Sequence, residues 1–456
     1  MCGIFGIYPH KDAAHLACLG LYALQHRGEE SSGIITRNGK SVHLHKALGL
    51  VSDVFDEKII RSLRGELAVG HVRYSTTGSS NIKNTQPFYV KSKIGDIAIA
   101  HNGNLTNTLD LHNELENNGA LFQTSMDSEI IAHLLAHSQK KDIKEAIIWS
   151  FSQLEGAYSL VLMLNDILIG ARDTQGFRPL CLGKLDGAYV LASETCALDL
   201  IGAKYIRDVQ PGEIVFIYKD KIESVTPFKK TPHAFCIFEY IYFARPDSNI
   251  FEHNVYMTRK RLGAQLAAEF PAEADLVMPI PDSGTYAALG FSEASKIPFE
   301  YGMIRNHYIG RTFIQPTQDL RDFRVKIKLN PLKEVLMGKK IAIIEDSIVR
   351  GTTSRMRVKT LRLAGAKELH MRVSCPPLRH PCFYGIDFPT KKELVASKHD
   401  IAWIRDFIGA DSLEYLSLEG MLNSMPCLKE NFCTACFTGE YPINHACRLS
   451  KDILEK

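Results

Sequence analysis

An apolar run that ends in two acids strongly limits what the second half of this chain can fold into. Residues 341–353 are IAIIEDSIVRGTT. Four consecutive apolar residues predict a central strand of a parallel sheet, because such a strand is buried on both faces. The hydroxyl-rich turn after it, which contains Gly351, is typical of a phosphate loop at the start of a helix. The sequence therefore predicts an α/β sheet with a ligand site at the carboxyl end of this strand.

The two acids indicate what kind of ligand this site takes. Glu345 and Asp346 would repel a bare phosphate, so we expect them to face the hydroxyls of a ribose or a hydrated Mg²⁺ between them. Backbone N–H groups of residues 347–353 would then hold the phosphate, which together predicts a sugar phosphate. Composition alone leaves open an ordinary strand-to-helix turn with two solvated acids and a Thr N-cap.

Length and composition restrict the class of protein. With 456 residues, 45% of them hydrophobic, the chain is long enough for two or three domains with cores of their own. The net charge of +3 is spread along the chain, so a nucleic-acid partner is not expected. No apolar stretch is long enough to span a bilayer, and the residues before Cys2 leave no room for a signal peptide, which predicts a cytoplasmic protein without a membrane partner. Eleven cysteines in such a chain are more typical of catalytic, metal-binding or buried thiols than of disulfides.

Cys2 follows the initiator Met directly. Removal of Met1 would leave a free thiol and a free α-amine on one residue, which pairs a nucleophile with a base. The amine titrates near neutral pH and can take the thiol proton without help from another side chain. A Cys at position 2 is weak evidence alone, but polar clusters that close apolar runs accompany it. They are LQHRGEE at 24–30, GHVRYS at 70–75, AHNGNL at 100–105 and TSMDSE at 124–129.

Together these motifs resemble the class II glutamine amidotransferase domain, an N-terminal-nucleophile glutaminase with an αββα sandwich. The resemblance spans residues 2–230. Short strands predicted at 158–164, 167–171, 188–192 and 213–218 fit the second sheet of this sandwich. The motifs GFRPL at 176–180 and SETC at 193–196 belong to the same resemblance, which implies structural roles for them. The resemblance implies that Cys2 attacks glutamine while Asn102 and Gly103 donate to the oxyanion. It also implies that Arg73 clamps the glutamine carboxylate and that Asp127 takes the ammonium. Other residues have structural roles by the same resemblance: Arg27, within the glutamine site, would support the Cys2 strand or the loop over glutamine, and His71 and His101 would pack or form hydrogen bonds.

The run at 341–353 resembles the phosphoribosylpyrophosphate (PRPP) loop of type I phosphoribosyltransferases, in the version found in amidophosphoribosyltransferases. That family usually carries two Asp where this chain has Glu345 and Asp346. The resemblance implies a second domain over residues 231–456 with a mainly parallel sheet, and a boundary in the charged segment 219–232. The implied PRPP-binding residues are Glu345, Asp346, Ser347, Arg350, Gly351, Thr352 and Thr353. The implied Mg²⁺ site comprises Ser283, Glu345 and Asp346.

In the second half the sequence predicts a basic amphipathic helix over residues 255–269.

Two further segments bear on the second site. Residues 275–283, DLVMPIPDS, predict a buried strand and a polar turn, which by resemblance approaches the pyrophosphate; a turn without a ligand is the alternative. Residues 306–329 form a long polar segment, which in the family closes over PRPP. Arg305 and His307 stand where the family commonly carries Lys and Arg, which leaves details of phosphate contact and nucleotide inhibition open.

Four cysteines form a third candidate site. Cys433 and Cys436 lie in a CTAC motif, whereas Cys236 and Cys382 are distant in sequence. Their spacing fits zinc or a [4Fe–4S] cluster equally well. Resemblance to the iron–sulfur branch of the amidophosphoribosyltransferases implies the cluster, with a structural role that pins the C-terminal segment to the body. The remaining cysteines are expected to pack: Cys18, Cys181, Cys196, Cys375, Cys427 and Cys447.

The resemblance as a whole implies a two-site enzyme. Glutamine, PRPP and water would give 5-phosphoribosylamine, glutamate and pyrophosphate, the first committed step of purine synthesis. Family members are usually homotetramers that purine nucleotides inhibit. Two alternatives remain on the sequence: a glutamine-dependent hexosamine synthase, against which the loop at 345–353 argues, and an inactive PRPP-sensing protein, against which the intact glutaminase motifs argue.

Overall fold

Antiparallel strands make up most of the first half of the chain. The computed structural model describes residues 1–74, 81–306, 329–387, 390–443 and 454. The strands of the first half are β1 Gly3–Tyr8, β2 Ser31–Asn38, β3 Ser41–Leu48, β4 Leu67–Arg73, β5 Phe88–Ser92, β6 Gly95–Leu105, β7 Gly156–Leu164, β8 Ile167–Arg172, β9 Cys181–Leu185, β10 Ala188–Ala192, β11 Lys204–Asp208, β12 Ile214–Ile217 and β13 Ile222–Val225. The helices there are α1 Ala13–Ala23, α2 Val51–Val54, α3 Glu57–Ser62, α4 Thr108–Asn117, α5 Ser128–His137, α6 Ile143–Ser152 and α7 Thr195–Ile201.

These strands form two stacked sheets. One has the order β11-β9-β10-β1-β4-β2-β3 and the other β13-β12-β8-β7-β6-β5. Side chains of β1 alternate between two cores, as a strand requires: Ile4 joins the core between the sheets, whereas Phe5 and Ile7 pack towards α1 and α7. Helices α5 and α6 cover the outer face of the second sheet. The expected αββα sandwich is therefore confirmed.

The sheet assignment of the strands between residues 156 and 218 was wrong. The sequence predicted that they all belong to the second sheet, but the hairpin of β9 and β10 joins the sheet of β1. Strands β9 and β11 were not predicted. Strand β13 also lies within the segment expected to be a boundary. Strands buried on both faces carry no periodic signal that tells which of two stacked sheets they enter.

The second half is built on a parallel sheet. Its strands are β14 Phe235–Cys236, β15 Asn249–Ile250, β16 His253–Asn254, β17 Leu276–Pro279, β18 Met303–Arg305, β19 Leu329–Pro331, β20 Lys340–Glu345, β21 Glu368–Val373, β22 Ser412–Tyr415 and β23 Phe432–Cys433. Its α-helices are α8 Val255–Glu269, α9 Thr285–Ser295, α10 Lys333–Leu336, α11 Thr352–Leu363, α12 Ile401–Ile408, α13 Leu418–Asn423 and α14 Ala435–Thr438, and a π-helix spans Glu239–Phe243. None of the helices in the described ranges has both the length and the apolar character needed to cross a membrane.

The predicted central strand is present. The four parallel strands have the order β17-β20-β21-β22, so β20 is flanked on both sides and its apolar residues are buried. Helix α8 begins and ends at the residues that the sequence predicted. Because β17 and β20 are parallel neighbours, the turns that follow them lie at the same edge of the sheet.

Candidate active sites

Cys2 lies immediately before strand β1, where its backbone is held on both sides. Its nitrogen donates to Asn102 Oδ1 at 3.1 Å, and its carbonyl accepts from Arg27 Nε at 2.9 Å. The Sγ atom lies 3.6 Å from the Tyr74 carbonyl oxygen. Met1 precedes Cys2 here, so this peptide nitrogen stands in for the α-amine of a processed chain. Asn102 is thus placed to orient that amine.

The side-chain amide of Asn102 has an N–H donor that makes no hydrogen bond to the described residues. Its Oδ1 is occupied by Cys2, whereas its buried Nδ2 has no acceptor among the described residues. An unpaired buried donor costs free energy, and a site that binds a developing oxyanion explains its presence. Gly103 follows it on β6, where a Cβ would lie 2.0 Å from the Ala157 carbonyl oxygen, so only glycine fits.

Asp127 lies against the same strand. Its Oδ2 accepts from the Leu105 backbone at 2.9 Å, and its Oδ1 lies 3.5 Å from His101 Nδ1. Burial would raise the pKa of Asp127, but His101 and the hydrogen bonds from Leu105 and Ser128 bring it below its ordinary value. The side chain is therefore held as a carboxylate, the form that would bind an ammonium group.

Arg73 is the last residue of β4 and is buried. Its backbone lies so close to Gly28 that a Cβ there would be 2.5 Å from the Arg73 carbonyl carbon. His71, two residues earlier, is fully buried with Nε2 3.1 Å from the His101 carbonyl oxygen. The expectation that His71 and His101 make packing and hydrogen-bonding contacts agrees with these positions.

Arg27 belongs to a buried charge network that crosses from the first half to the second. Its guanidinium donates to both oxygens of Glu239, at 2.8 and 3.1 Å, and also contacts Glu194. Arg178 Nη1 lies 3.5 Å from Glu239. All four side chains are buried. Two roles were expected for Arg27. Among the described residues, its hydrogen bond to the Cys2 carbonyl fits the first of them, support of the Cys2 strand.

Arg178 and Glu194 lie in the motifs GFRPL and SETC, for which the sequence predicted structural roles without naming partners. Glu239 was not predicted. The four members of the network lie far apart in the sequence, so no local motif connects them, and the only signal for Glu239 is its own charge in the apolar run FEYIYF. A charge in such a run is buried only with a partner, which points to an ion pair without identifying it.

The phosphate loop follows β20 as predicted. Asp346 is buried and accepts from Ser347 Oγ at 2.6 Å. Gly351 has φ of +76° and directly precedes α11, whose first residues Thr352 and Thr353 are exposed. The start of a twelve-residue helix thus faces solvent next to the acid pair, as an anion site requires.

Glu345 has an ion partner that the sequence did not indicate. Its Oε2 lies 2.5 Å from Nη1 of Arg357, a residue of α11. Burial raises the pKa of Glu345 to about 8; Arg357 opposes this rise and Asp346 adds to it. The Glu345 side chain therefore reaches from the end of β20 to α11. The Asp that is usual in the family at this position is one methylene shorter.

The turn after β17 reaches the same edge. The Ile280 nitrogen donates to the Ile344 carbonyl at 2.9 Å, and a Cβ on Gly284 would lie 2.4 Å from that oxygen. Ser283 is therefore brought close to the acid pair. Asp282 pairs with Arg305, one of the two residues that depart from the family. His307, the second departure, and residues 307–328 of the expected closing segment lie outside the described residues.

Four cysteines from three distant segments line one buried cavity: Cys236, Cys382, Cys433 and Cys436. Cys236 and Cys433 are register partners in the parallel pair β14 and β23. Burial raises the pKa of the Cys236 thiol to about 11. In the described part of the chain no three His, Cys, Asp or Glu side chains converge closely enough to hold a single ion.

The other cysteines that the structure describes do not line this cavity. Those expected to pack are buried or half-buried free thiols: Cys18, Cys181, Cys196, Cys375 and Cys427. Cys447 lies outside the described residues.

Comparison with known sequences places this chain among named enzymes. A family model described as a glutamine amidotransferase domain matches residues 71–200. Proteins named amidophosphoribosyltransferase from Synechococcus elongatus, Methanocaldococcus jannaschii and Bacillus subtilis are 52%, 49% and 47% identical to it. Each match covers 97% of this chain and 91%, 98% and 94% of the respective relative.

Two solved structures resemble the whole chain. One, described as glutamine PRPP amidotransferase from B. subtilis complexed with ADP and GMP, has a TM-score of 0.91 at 46% identity and covers 97% of both chains. The other, described as the allosteric regulatory enzyme of purine biosynthesis, has a TM-score of 0.92 at 47% identity over 97% of this chain and 96% of the other. With near-complete coverage and about half of all positions identical, this chain belongs to the amidophosphoribosyltransferase family.

Proposed function

We propose that this protein releases ammonia from glutamine at Cys2 and uses it to displace pyrophosphate from PRPP. The products are 5-phosphoribosylamine, glutamate and pyrophosphate, in the first committed step of purine synthesis. The observation that carries this proposal is the presence of two sites in one chain: a buried thiol beside an unpaired oxyanion donor, and an acid pair beside a helix start. Full-length similarity to amidophosphoribosyltransferases supports both.

At the first site, Cys2 attacks the glutamine carboxamide after Met1 has been removed. The α-amine, oriented by Asn102 Oδ1, takes the thiol proton and delivers it to the leaving ammonia. Asn102 Nδ2 and the Gly103 N–H stabilise the oxyanion, and water then hydrolyses the thioester. Arg73 and Asp127 bind the α-carboxylate and α-ammonium of glutamine.

At the second site, the residues after β20 bind PRPP. Backbone N–H groups from Ser347 to Thr353 hold the 5-phosphate at the start of α11, with Arg350 and Gly351 in the same loop. Glu345 and Asp346 accept from the ribose hydroxyls, and Ser283 approaches the pyrophosphate. The oxygen donors of this edge suit Mg²⁺, whose remaining ligands are phosphate and water. When bound with PRPP, Mg²⁺ neutralises the leaving pyrophosphate.

Ammonia passes between the sites inside the protein in this proposal. Ammonia released into water would be protonated before it reached PRPP, so the proposed transfer takes place inside the protein.

We further propose that residues 2–230 form the glutaminase domain and residues 231–456 the transferase domain with its cysteine-bearing C-terminal segment. The proposed occupant of the four-cysteine cavity is a [4Fe–4S] cluster. The four thiols that line one cavity, together with the resemblance to the iron–sulfur branch of the family, support the cluster, and a single zinc ion is the alternative. The role of the cluster would be structural.

The proposal also covers inhibition by nucleotides and assembly into an oligomer. A related structure is described as complexed with ADP and GMP and another as allosteric, so purine nucleotides are proposed inhibitors. A homotetramer in the cytoplasm, without nucleic-acid or membrane partners, completes the proposal.

Glutamate release measured with and without PRPP tests the reaction. The proposed enzyme releases glutamate faster with PRPP and also releases pyrophosphate. A PRPP-sensing protein releases no glutamate, and a hexosamine synthase responds to a hexose phosphate instead. Asn102→Ala is expected to lower kcat for glutamine hydrolysis by about 10²–10³-fold, the usual cost of one oxyanion donor. Ammonia-dependent pyrophosphate release should be unchanged in this variant, and an unchanged kcat would contradict the role of Asn102.

Anaerobic purification tests the cluster. About four irons per chain with matching sulfide and a brown colour would support it. Colourless, iron-free, fully active protein would contradict the cluster but not the transferase proposal. The four cysteines would then form a zinc site or simply pack.

A further inference from the structure

A turn in the second half lies directly against the strand of the oxyanion donors. The Phe383 carbonyl accepts from Asn104 Nδ2 at 3.0 Å. Gly385, two residues later, lies so close to Gly103 that a Cβ on it would be 2.8 Å from both the carbonyl carbon and the carbonyl oxygen of Gly103. The turn of residues 383–385 therefore touches the backbone on which the oxyanion site depends.

The same turn is held firmly from its other side. The Tyr384 carbonyl accepts from Arg178 Nε at 2.9 Å, and Arg178 is fully buried. The Tyr384 nitrogen donates to Cys382 Sγ at 3.4 Å. Its ring stacks on Phe177 with a centroid distance of 4.3 Å. Contacts from the first half and from the cysteine cavity thus fix the turn that presses on Gly103.

Gly103 is enclosed between two surfaces as a result. A Cβ on Gly103 would be 2.0 Å from the Ala157 carbonyl oxygen on one side, and Gly385 lies against the Gly103 carbonyl group on the other. These close neighbours leave the backbone that carries the Gly103 N–H little room to shift. Such confinement matters because an oxyanion donor works only when it is aimed at the position the charge will occupy.

We propose that residues 383–385 are a positioning element for the oxyanion donors Asn102 and Gly103. This inference rests on the proposed glutaminase reaction and deepens it. The second half would then contribute to glutamine hydrolysis without contacting glutamine, by fixing the direction of a backbone N–H in the first half. A displacement of about 1 Å in such a group can cost about 10²-fold in rate.

Gly385→Ala and a matched control test the proposal. Gly385 has φ of +98° and Gly187 has φ of +90°, so alanine at either position meets the same backbone strain. A Cβ on Gly187 has nothing within 4 Å, whereas one on Gly385 displaces Gly103. Gly385→Ala is expected to lower kcat for glutamine hydrolysis at least about tenfold with KM little changed. Gly187→Ala should match wild type.

Asn104→Ala, which removes the contact to Phe383 without adding bulk, should lower kcat several-fold.

Two further readouts separate positioning from general damage. Iodoacetamide alkylation of Cys2, followed on the N-terminal peptide by mass spectrometry, needs no oxyanion donor and should proceed at the wild-type rate. Ammonia-dependent pyrophosphate release should also be unchanged. Equal kcat values for Gly385→Ala and Gly187→Ala would overturn the inference, as would parallel losses in alkylation and ammonia-dependent activity. Wild-type protein that hydrolyses no glutamine would overturn the proposed function and this inference with it.

Discussion

His71 makes the stability of the first half depend on pH. The ring is fully buried, and its pKa is lowered to about 3. Burial is the main cause; the hydrogen bond to His101 opposes it, and the nearby charges of Arg73 and Lys46 add to it. The unfolded state therefore binds a proton that the folded state excludes, so stability is lost as pH falls below about 6.5. Between pH 6.5 and 5 this loss amounts to about 2 kcal/mol for one such group.

His71→Gln should accordingly reduce the pH dependence of stability. Gln keeps an N–H donor for the His101 carbonyl but has no proton to exclude. We expect wild type to lose about 2 kcal/mol more than the variant between pH 7.5 and 5, measured by urea unfolding. His15→Gln, at an exposed position on α1, is the control and should keep the wild-type slope. Equal slopes for wild type and His71→Gln would contradict the assignment.

Glu239 is expected to contribute strongly to stability. Its carboxylate binds Arg27 through both oxygens in a site closed to water, so Glu239→Gln leaves a buried guanidinium short of a partner. Loss of one member of a buried pair costs about 3–5 kcal/mol. Glu293→Gln removes an ion pair to Lys260 whose Glu is 64% exposed, and should cost less than about 1 kcal/mol. Urea unfolding of the two variants measures the difference, and similar values would show that the network is not stabilising.

These residues mark what sequence analysis could reach. Cys2, Asn102 and Gly103 lie in contiguous motifs with a chemical logic, and the structure brings them together. Glu239 contacts Arg27 across 212 positions of sequence, and Arg178 contacts Tyr384 across 206, and only the fold reveals such pairs. The Glu345–Arg357 pair was missed for another reason, since it depends on how far a longer side chain reaches across a helix start.

The helix start at Gly351 allows a prediction about PRPP binding. Gly351 and Gly409 have similar backbones, with φ of +76° and +79°, and Gly409 ends α12, where a Cβ would meet only Val358 at 3.8 Å. Alanine at either position should cost about 1–2 kcal/mol of stability because both are left-handed. Only Gly351→Ala should raise KM for PRPP several-fold, because the N–H groups that follow it are the proposed phosphate donors. Steady-state kinetics against PRPP measures this, and equal KM values for the two variants would count against the loop.

Elements differ in how well their patterns predict them. Strand β20 and helix α8 were predicted because each has a long uniform signal: a buried apolar run in one and helical spacing with clear ends in the other. Strand β10 was assigned to the wrong sheet, since both faces of each stacked sheet are apolar and a hairpin can enter either. The pairing of β14 with β23 was beyond prediction, because each has only two residues.

The described part of the C-terminal segment is joined to the body by a short strand pair and by side-chain packing. Its parallel pair with β14 is two residues long, and the remaining contacts include Tyr441 Oη to the Pro381 carbonyl at 2.7 Å and backbone bonds from Arg379 and His380 to Cys436. Phe432 and Phe437 also pack in the core of the second half. Two-stranded pairs this short are marginal alone. The proposed cluster, bound by four cysteines, would add a direct link among the three segments that carry them.

Removal of that cluster should therefore loosen two distant segments together. In iron-free protein or in Cys433→Ser, we expect faster amide hydrogen exchange at residues 430–438 and 380–386, with little change in the parallel sheet. Cys427→Ser is the matched control, because Cys427 packs in the same C-terminal segment but does not line the cavity, and its exchange should follow wild type. Since residues 383–385 press on Gly103, glutamine hydrolysis should fall with the same treatment while ammonia-dependent activity persists. Unchanged exchange at 380–386 after iron removal would show that the cavity does not control the turn.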